Sequence, residues 1–100
     1  MPEDTSLEQV CSKLRRQMPA LAERYGVVTL GIFGSVSRRE SDSESDLDIL
    51  VTFDDPPGLM AFLELEEHLG TLTERPVDLV MESALKPRIR HRILDEIIPV

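Results

Sequence analysis

Three aspartates carry the chemistry that this chain of 100 residues suggests. Asp46 and Asp48 are two apart at the start of the run DLDILVTF, residues 46–53, whose β-branched and aliphatic content reads as a strand. Alternation along a strand puts both carboxylates on one face. Their place at its opening puts them on the rim, within reach of water and ligand. Asp78 interrupts the apolar run PVDLVM, residues 76–81, a third, short strand in which an unpaired carboxylate is costly to bury. If these two strands are neighbours, all three carboxylates converge. Clustered anions repel and raise one another's pKa. A divalent cation removes that conflict, and hard oxygen ligands with open positions suit Mg²⁺, which keeps waters and takes substrate phosphates as further ligands. Taken singly, each feature has a plainer reading: solvated turn chemistry for Asp46 and Asp48, an arginine partner for Asp78.

Gly34-Ser35 is the second feature. It follows the apolar run Val27–Phe33 (VVTLGIF) directly and precedes a polar, helix-compatible stretch. Glycine lets a phosphate come close to the backbone. The serine hydroxyl and the amides of a following helical turn can bind phosphate oxygens. Alone, the dipeptide reads as well as a turn with a serine N-cap. The spacing adds weight, because Gly34-Ser35, ten residues, then Asp46-x-Asp48 is a fixed constellation. With each residue type at about 5–7% of positions, a chance match in a chain this long is on the order of one in a thousand.

The elements that must position these groups are readable in outline. Leu7, Val10, Cys11, Leu14, Met18 and Leu21 fall at helical spacing, and Ser6 with Gln9, or Thr5 with Glu8, can close a capping box. Pro19 is expected to kink or divide this helix near Gln17 and Met18, and Gly26 to cap its second piece. Val27–Phe33 reads as a buried strand. Asp54-Asp55-Pro56-Pro57-Gly58 is a turn cluster. Leu59, Phe62, Leu63 and Leu69 mark one face of a helix over roughly 58–70. Ile89, Ile93 and Ile97, four apart, mark a C-terminal helix after Pro87. The order is helix, strand, helix-like turn, strand, helix, strand, helix. That is an α/β or α+β chain: a small mixed sheet with helices packed on it and both faces partly covered.

Composition bounds the rest. The length and the 41% hydrophobic content fit one domain over 1–100. Eleven basic against nineteen acidic residues give a net charge of −8, which argues against gripping nucleic acid by bulk phosphate neutralisation. A single cysteine excludes an intramolecular disulfide. No apolar run approaches the roughly 20 residues of a membrane span, and the acidic opening MPEDTSLEQ does not read as a signal peptide. The expected compartment is the cytoplasm, with no membrane partner. Cys11 reads as a core filler, and His68 and His91 as surface residues. In the one basic run, KPRIRHR at 86–92, Arg88 and Arg92 share a helix face, with Ile89 and Ile93 on another. That run is either a solvated face or a patch for phosphate or a partner, and the same two readings hold for Arg38 and Arg39.

The stretch Gly31-Ile-Phe-Gly-Ser-Val-Ser-Arg-Arg, followed by Ser45-Asp-Leu-Asp-Ile-Leu-Val, resembles the nucleotidyltransferase signature of the DNA polymerase β superfamily. The short chain, Arg38 in Gly-Ser-x-x-Arg and Asp78 between hydrophobic residues look like its minimal members, the MNT domains, commonly antitoxins paired with HEPN-domain RNase toxins. The resemblance spans roughly residues 21–81; the intervening linker, residues 37–45, is unusually acidic and serine-rich. It implies a polymerase-β-like fold and two Mg²⁺ ions held by Asp46 and Asp48, with Asp78 in the same metal site and helping to activate the acceptor hydroxyl. Gly34, Ser35 and Arg38 would bind the nucleotide. The implied reaction is in-line attack of a hydroxyl on the α-phosphorus of ATP, with pyrophosphate leaving. So small a sheet leaves no second domain to build a pocket for a small acceptor, which favours a protein acceptor, the cognate HEPN toxin. The alternatives are transfer to a small-molecule hydroxyl such as an antibiotic, which needs a pocket made by dimerisation, and an antitoxin that masks its toxin without chemistry.

Overall fold

The computed structural model describes residues 6–34 and 46–100. Helix α1 spans Ser6–Tyr25 without a break, although Pro19 lies inside it. The expected division at Pro19 is therefore not seen. Proline removes one helical hydrogen bond and crowds the preceding turn, at a cost of about 3 kcal/mol. The apolar stripe continues on both sides of it, however, and Leu14 and Leu21 are fully buried, with Val10, Cys11 and Tyr25 beside them. Burial contributes roughly 1.5–3 kcal/mol for each large aliphatic side chain, so the packing outweighs the proline. Gly26 ends the helix as expected. Its φ is +77°, and its amide donates to the Ala22 carbonyl at 2.9 Å, a left-handed C-cap.

Four strands follow: β1 (Val27–Phe33), β2 (Leu47–Phe53), β3 (Val77–Met81) and the two-residue β4 (Ile98–Pro99). They form one mixed sheet in the order β3-β2-β1-β4. β1 runs antiparallel to both β2 and β4, and β2 runs parallel to β3. The parallel pair needs a crossover, which helix α2 (Leu59–Thr73) supplies. A bulge between Val27 and Thr29 leaves Val28 out of the ladder and exposed. β4 was not legible in the sequence, since two residues, one a proline, carry no periodicity. Its edge position is where a strand tolerates proline.

The ladder sorts the side chains by face. Ile32, Ile49 and Leu79 lie side by side, as do Leu30, Val51 and Met81. This face packs with Leu14 and Leu21 of α1 and Leu65 and Leu69 of α2 in a single core. α2 runs one turn beyond its expected end. Thr73 is buried there, its hydroxyl donating to the Leu69 carbonyl at 2.9 Å. The opposite face carries Thr29 with Thr52, Gly31 with Leu50 and Val80, and Phe33 with Asp48 and Asp78. The hydroxyls of Thr29 and Thr52 are 2.6 Å apart.

Helix α3 (Pro87–Glu96) opens on the helix-compatible Pro87 and buries Ile93. Ile97, expected on the same helical face, comes one residue after the helix in extended backbone, and its side chain fills the space above Gly31. The second sheet face is thus covered at Gly31, as the reading of a sheet covered on both sides requires. Ile89 remains half exposed. Among the described residues the architecture is three α-helices on a four-stranded mixed sheet. No helix among the described residues is long and apolar enough to cross a membrane.

Candidate active site

The parallel pairing of β2 with β3 decides where the aspartates meet. The Leu47 amide donates to the Pro76 carbonyl at 2.8 Å. From that start the register pairs Leu47 with Val77 and Asp48 with Asp78. Residues in register on neighbouring parallel strands share a face, with backbones about 4.8 Å apart. Asp48 and Asp78 are therefore adjacent, although thirty positions separate them in the chain. Asp46 is exposed and stands one residue ahead of β2 rather than within it. Asp48 is half-buried and Asp78 exposed.

Gly34 closes the site from the side of β1. Its φ of +83° is in the left-handed region, which glycine adopts at no steric cost. The Asp48 carboxylate occupies the space where a β-carbon at residue 34 would stand. The glycine of the first motif and the second aspartate of the other are thus in direct contact, and Phe33 faces Asp48 across the ladder. Ser35, Arg38, Arg39 and the linker 37–45, all part of the sequence reading, lie outside the described residues.

Among the described residues, no three histidine, cysteine, aspartate or glutamate side chains are grouped tightly enough to hold a metal ion. The donor set still suits magnesium. Asp48 and Asp78 offer hard carboxylate oxygens on one rim, and Mg²⁺ is usually held by one or two carboxylates, its remaining positions filled by substrate phosphates and water. A site completed by a nucleotide needs no closed cage of protein ligands.

The other candidates from the sequence fall elsewhere. Cys11 is buried in the core as a free thiol. His68 is half-buried rather than a surface residue, with its ring 6.3 Å from that of Tyr25, while His91 is exposed. In the basic run, Arg90 makes an ion pair with Glu82 at 2.9 Å, and Arg88 and Arg92 are exposed. The sequence reading passed over Glu66, whose carboxylate accepts the Leu79 amide at 2.9 Å, one residue from Asp78. A glutamate on the flank of an amphipathic helix gives no signal that separates it from a solvated one.

The nucleotidyltransferase domain family matches residues 14–100. The chain belongs to that family. It is 45% identical over 95 residues to the protein adenylyltransferase MntA of Thermococcus cleftensis, covering 95% of this chain and 96% of the relative. Its fold matches a solved minimal nucleotidyltransferase with a TM-score of 0.72 at 39% identity, covering 90% of this chain and 95% of the other. More distant solved structures share the fold of this nucleotidyltransferase. One is a toxin–antitoxin with AMP-PNP, TM-score 0.72 at 22% identity, over 88% of this chain and 69% of the other. Another is the tri-AMPylated Shewanella oneidensis HEPN toxin in complex with MNT antitoxin, TM-score 0.60 at 21% identity, over 96% and 69%. The resemblance to the minimal nucleotidyltransferases and the fold class expected from it are both borne out.

Proposed function

We propose that this nucleotidyltransferase moves AMP from ATP onto a hydroxyl of a protein partner, an HEPN-domain toxin, and so acts as its antitoxin. The observation that carries this reading is the register of Asp48 with Asp78 against Gly34. It sets two carboxylates beside a backbone turn that a phosphate chain can approach. A close relative named as a protein adenylyltransferase supports the reaction class. A distant neighbour solved with an AMPylated HEPN toxin supports the partner.

In this reading Asp46 and Asp48 are the principal magnesium ligands, with Asp78 at the same site. Magnesium ions held there would supply positive charge where the phosphates and the attacking oxygen gain negative charge. Gly34 would meet the triphosphate through its backbone, the space of its missing side chain being taken by the Asp48 carboxylate, and the Ser35 hydroxyl and Arg38 guanidinium would donate hydrogen bonds to the phosphates. The acceptor oxygen forms a bond to the α-phosphorus, the bond to the β-phosphate oxygen breaks, and pyrophosphate leaves in line. The acceptor proton passes to the Asp78 carboxylate, which must come within about 2.6–3.2 Å of the hydroxyl oxygen. An adenylylated toxin carries new negative charge, which repels RNA. Dependence on ATP implies a cytoplasmic place of work.

The test is incubation of the chain with labelled ATP, Mg²⁺ and a purified HEPN-domain toxin. The expected result is a mass increase of one or more adenylyl units on the partner. No transfer under any nucleotide or divalent metal overturns the reading. Label appearing on a purified antibiotic but not on the partner replaces it with the small-molecule alternative.

A further inference from the structure

β3 is five residues long and, among the described residues, forms one edge of the sheet and pairs with β2 alone. An edge strand presents unpaired amides to its open side. The Leu79 amide is used on that side: it donates to the Glu66 carboxylate of α2 at 2.9 Å, in a partly buried bond. Glu66 is held in turn by its neighbours, since Leu65 and Leu69 on the same helix are fully buried in the core. The bond therefore runs from a fixed helix to a peptide unit of the edge strand.

That peptide unit is the one joining Asp78 to Leu79. A peptide is planar, so a partner that holds the Leu79 amide also fixes the Asp78 carbonyl and the α-carbon from which the Asp78 side chain springs. Asp78 is exposed. Among the described residues its side chain has no hydrogen-bond or ion-pair partner, so its placement against Asp48 depends on the backbone. A charge-assisted bond is roughly twice as strong as a neutral one, which suits a residue that must steady a short edge strand.

We infer that Glu66 is a positioning residue for Asp78: by holding the Asp78–Leu79 peptide from the open edge of the sheet, it sets where the Asp78 carboxylate stands relative to Asp48. This rests on the reading above, in which Asp78 takes the acceptor proton. Glu66 touches no reacting atom. Plain protection of a strand edge would affect stability and leave the chemistry of the folded chain alone.

Three variants separate these roles in steady-state transfer with ATP, Mg²⁺ and the HEPN partner. Glu66→Leu removes the acceptor, Glu66→Gln keeps a carbonyl oxygen at the same reach, and Glu66→Asp serves if Glu66→Leu does not fold. Folded Glu66→Leu or Glu66→Asp is expected to lose about tenfold in kcat, short of the roughly hundredfold cost of a 1 Å misplacement. The KM for ATP should stay within about twofold of the parent, because ground-state nucleotide binding is untouched. Glu66→Gln should recover most of the rate, and the Leu79 amide should lose hydrogen-exchange protection only where the acceptor is lost or shortened. Parent kcat in the folded Leu or Asp variant overturns the inference, as does a Gln variant no faster than Leu. Asp78→Asn distinguishes the two levels. If it is slow while Glu66→Leu is fast, the inference alone falls; if Asp78→Asn transfers at the parent rate, the role of Asp78 falls and the inference with it.

Discussion

The Asp48 carboxylate fills the space that any side chain at Gly34 would need. The end of β1 and the start of β2 are therefore one local structure, in which the left-handed turn at Gly34 and the Asp48 carboxylate are placed by mutual contact. Moving either one moves the other. Gly34 and Asp48, fourteen positions apart in the chain, meet in space at the ends of an antiparallel pair.

Gly34→Ala tests that contact. A left-handed backbone costs an L-residue roughly 1–2 kcal/mol, and the new methyl also displaces the Asp48 carboxylate. The urea midpoint should fall by that modest amount. Adenylyl transfer should be lost far more completely than the residual folded population explains. A folded Gly34→Ala chain with parent activity would mean that this contact is incidental to the chemistry.

The paired substitution Asp46→Asn with Asp48→Asn separates catalysis from masking. Both changes preserve size and stand at the rim, so circular dichroism and the unfolding midpoint should match the parent. Transfer should drop by about a hundredfold or more if these carboxylates hold the metal. Neutralisation of the toxin should drop in parallel. A double variant that silences the toxin as well as the parent does, with no label transferred, identifies a stoichiometric binder.

The positions that were legible before the structure are those governed by a local rule. Asp48 lies on the sheet face away from α1 and α2 because strand side chains alternate, and Gly26 caps α1 because a left-handed residue ends a helix there. The adjacency of Asp48 and Asp78 was conditional in the sequence, since it depends on a parallel register set by the α2 crossover. Pro19 does not divide α1, because burial on both of its flanks holds the helix together. Ile97 continues a four-residue spacing that looks helical, yet it leaves the helix because Gly31 offers it a socket on the sheet. That socket exists only once β1 and the C-terminal segment have come together.

Gly31→Ala probes that socket. An added β-carbon would stand 2.6 Å from Ile97 Cγ1, so the isoleucine must move. Overpacking of this kind costs about 1–3 kcal/mol. Ile97→Ala makes room, and the double variant should be less destabilised than the two single costs added together, an interaction of about 0.5 kcal/mol or more for residues in contact. Strict additivity in urea unfolding would show that Ile97 does not occupy this position in solution.

Cys11 makes the last case, because burial gives it a pH signature. Removal from water disfavours the thiolate and pushes the thiol pKa up; Arg15 opposes this and Glu8 adds to it, both by smaller amounts. At neutral pH the folded chain therefore holds a protonated, poorly nucleophilic thiol. Iodoacetamide should label it only after unfolding. The sign of the linkage follows from the direction of the shift. The folded state binds this proton more tightly than the unfolded chain does, so the stabilisation is complete below the ordinary thiol range and is lost as pH rises through the raised value. Urea midpoints followed from neutral to alkaline pH should fall more steeply for the parent than for Cys11→Ala, which has no proton to lose. Equal slopes, or rapid labelling of the native chain, would place the sulfur in water and remove it from the core face of α1.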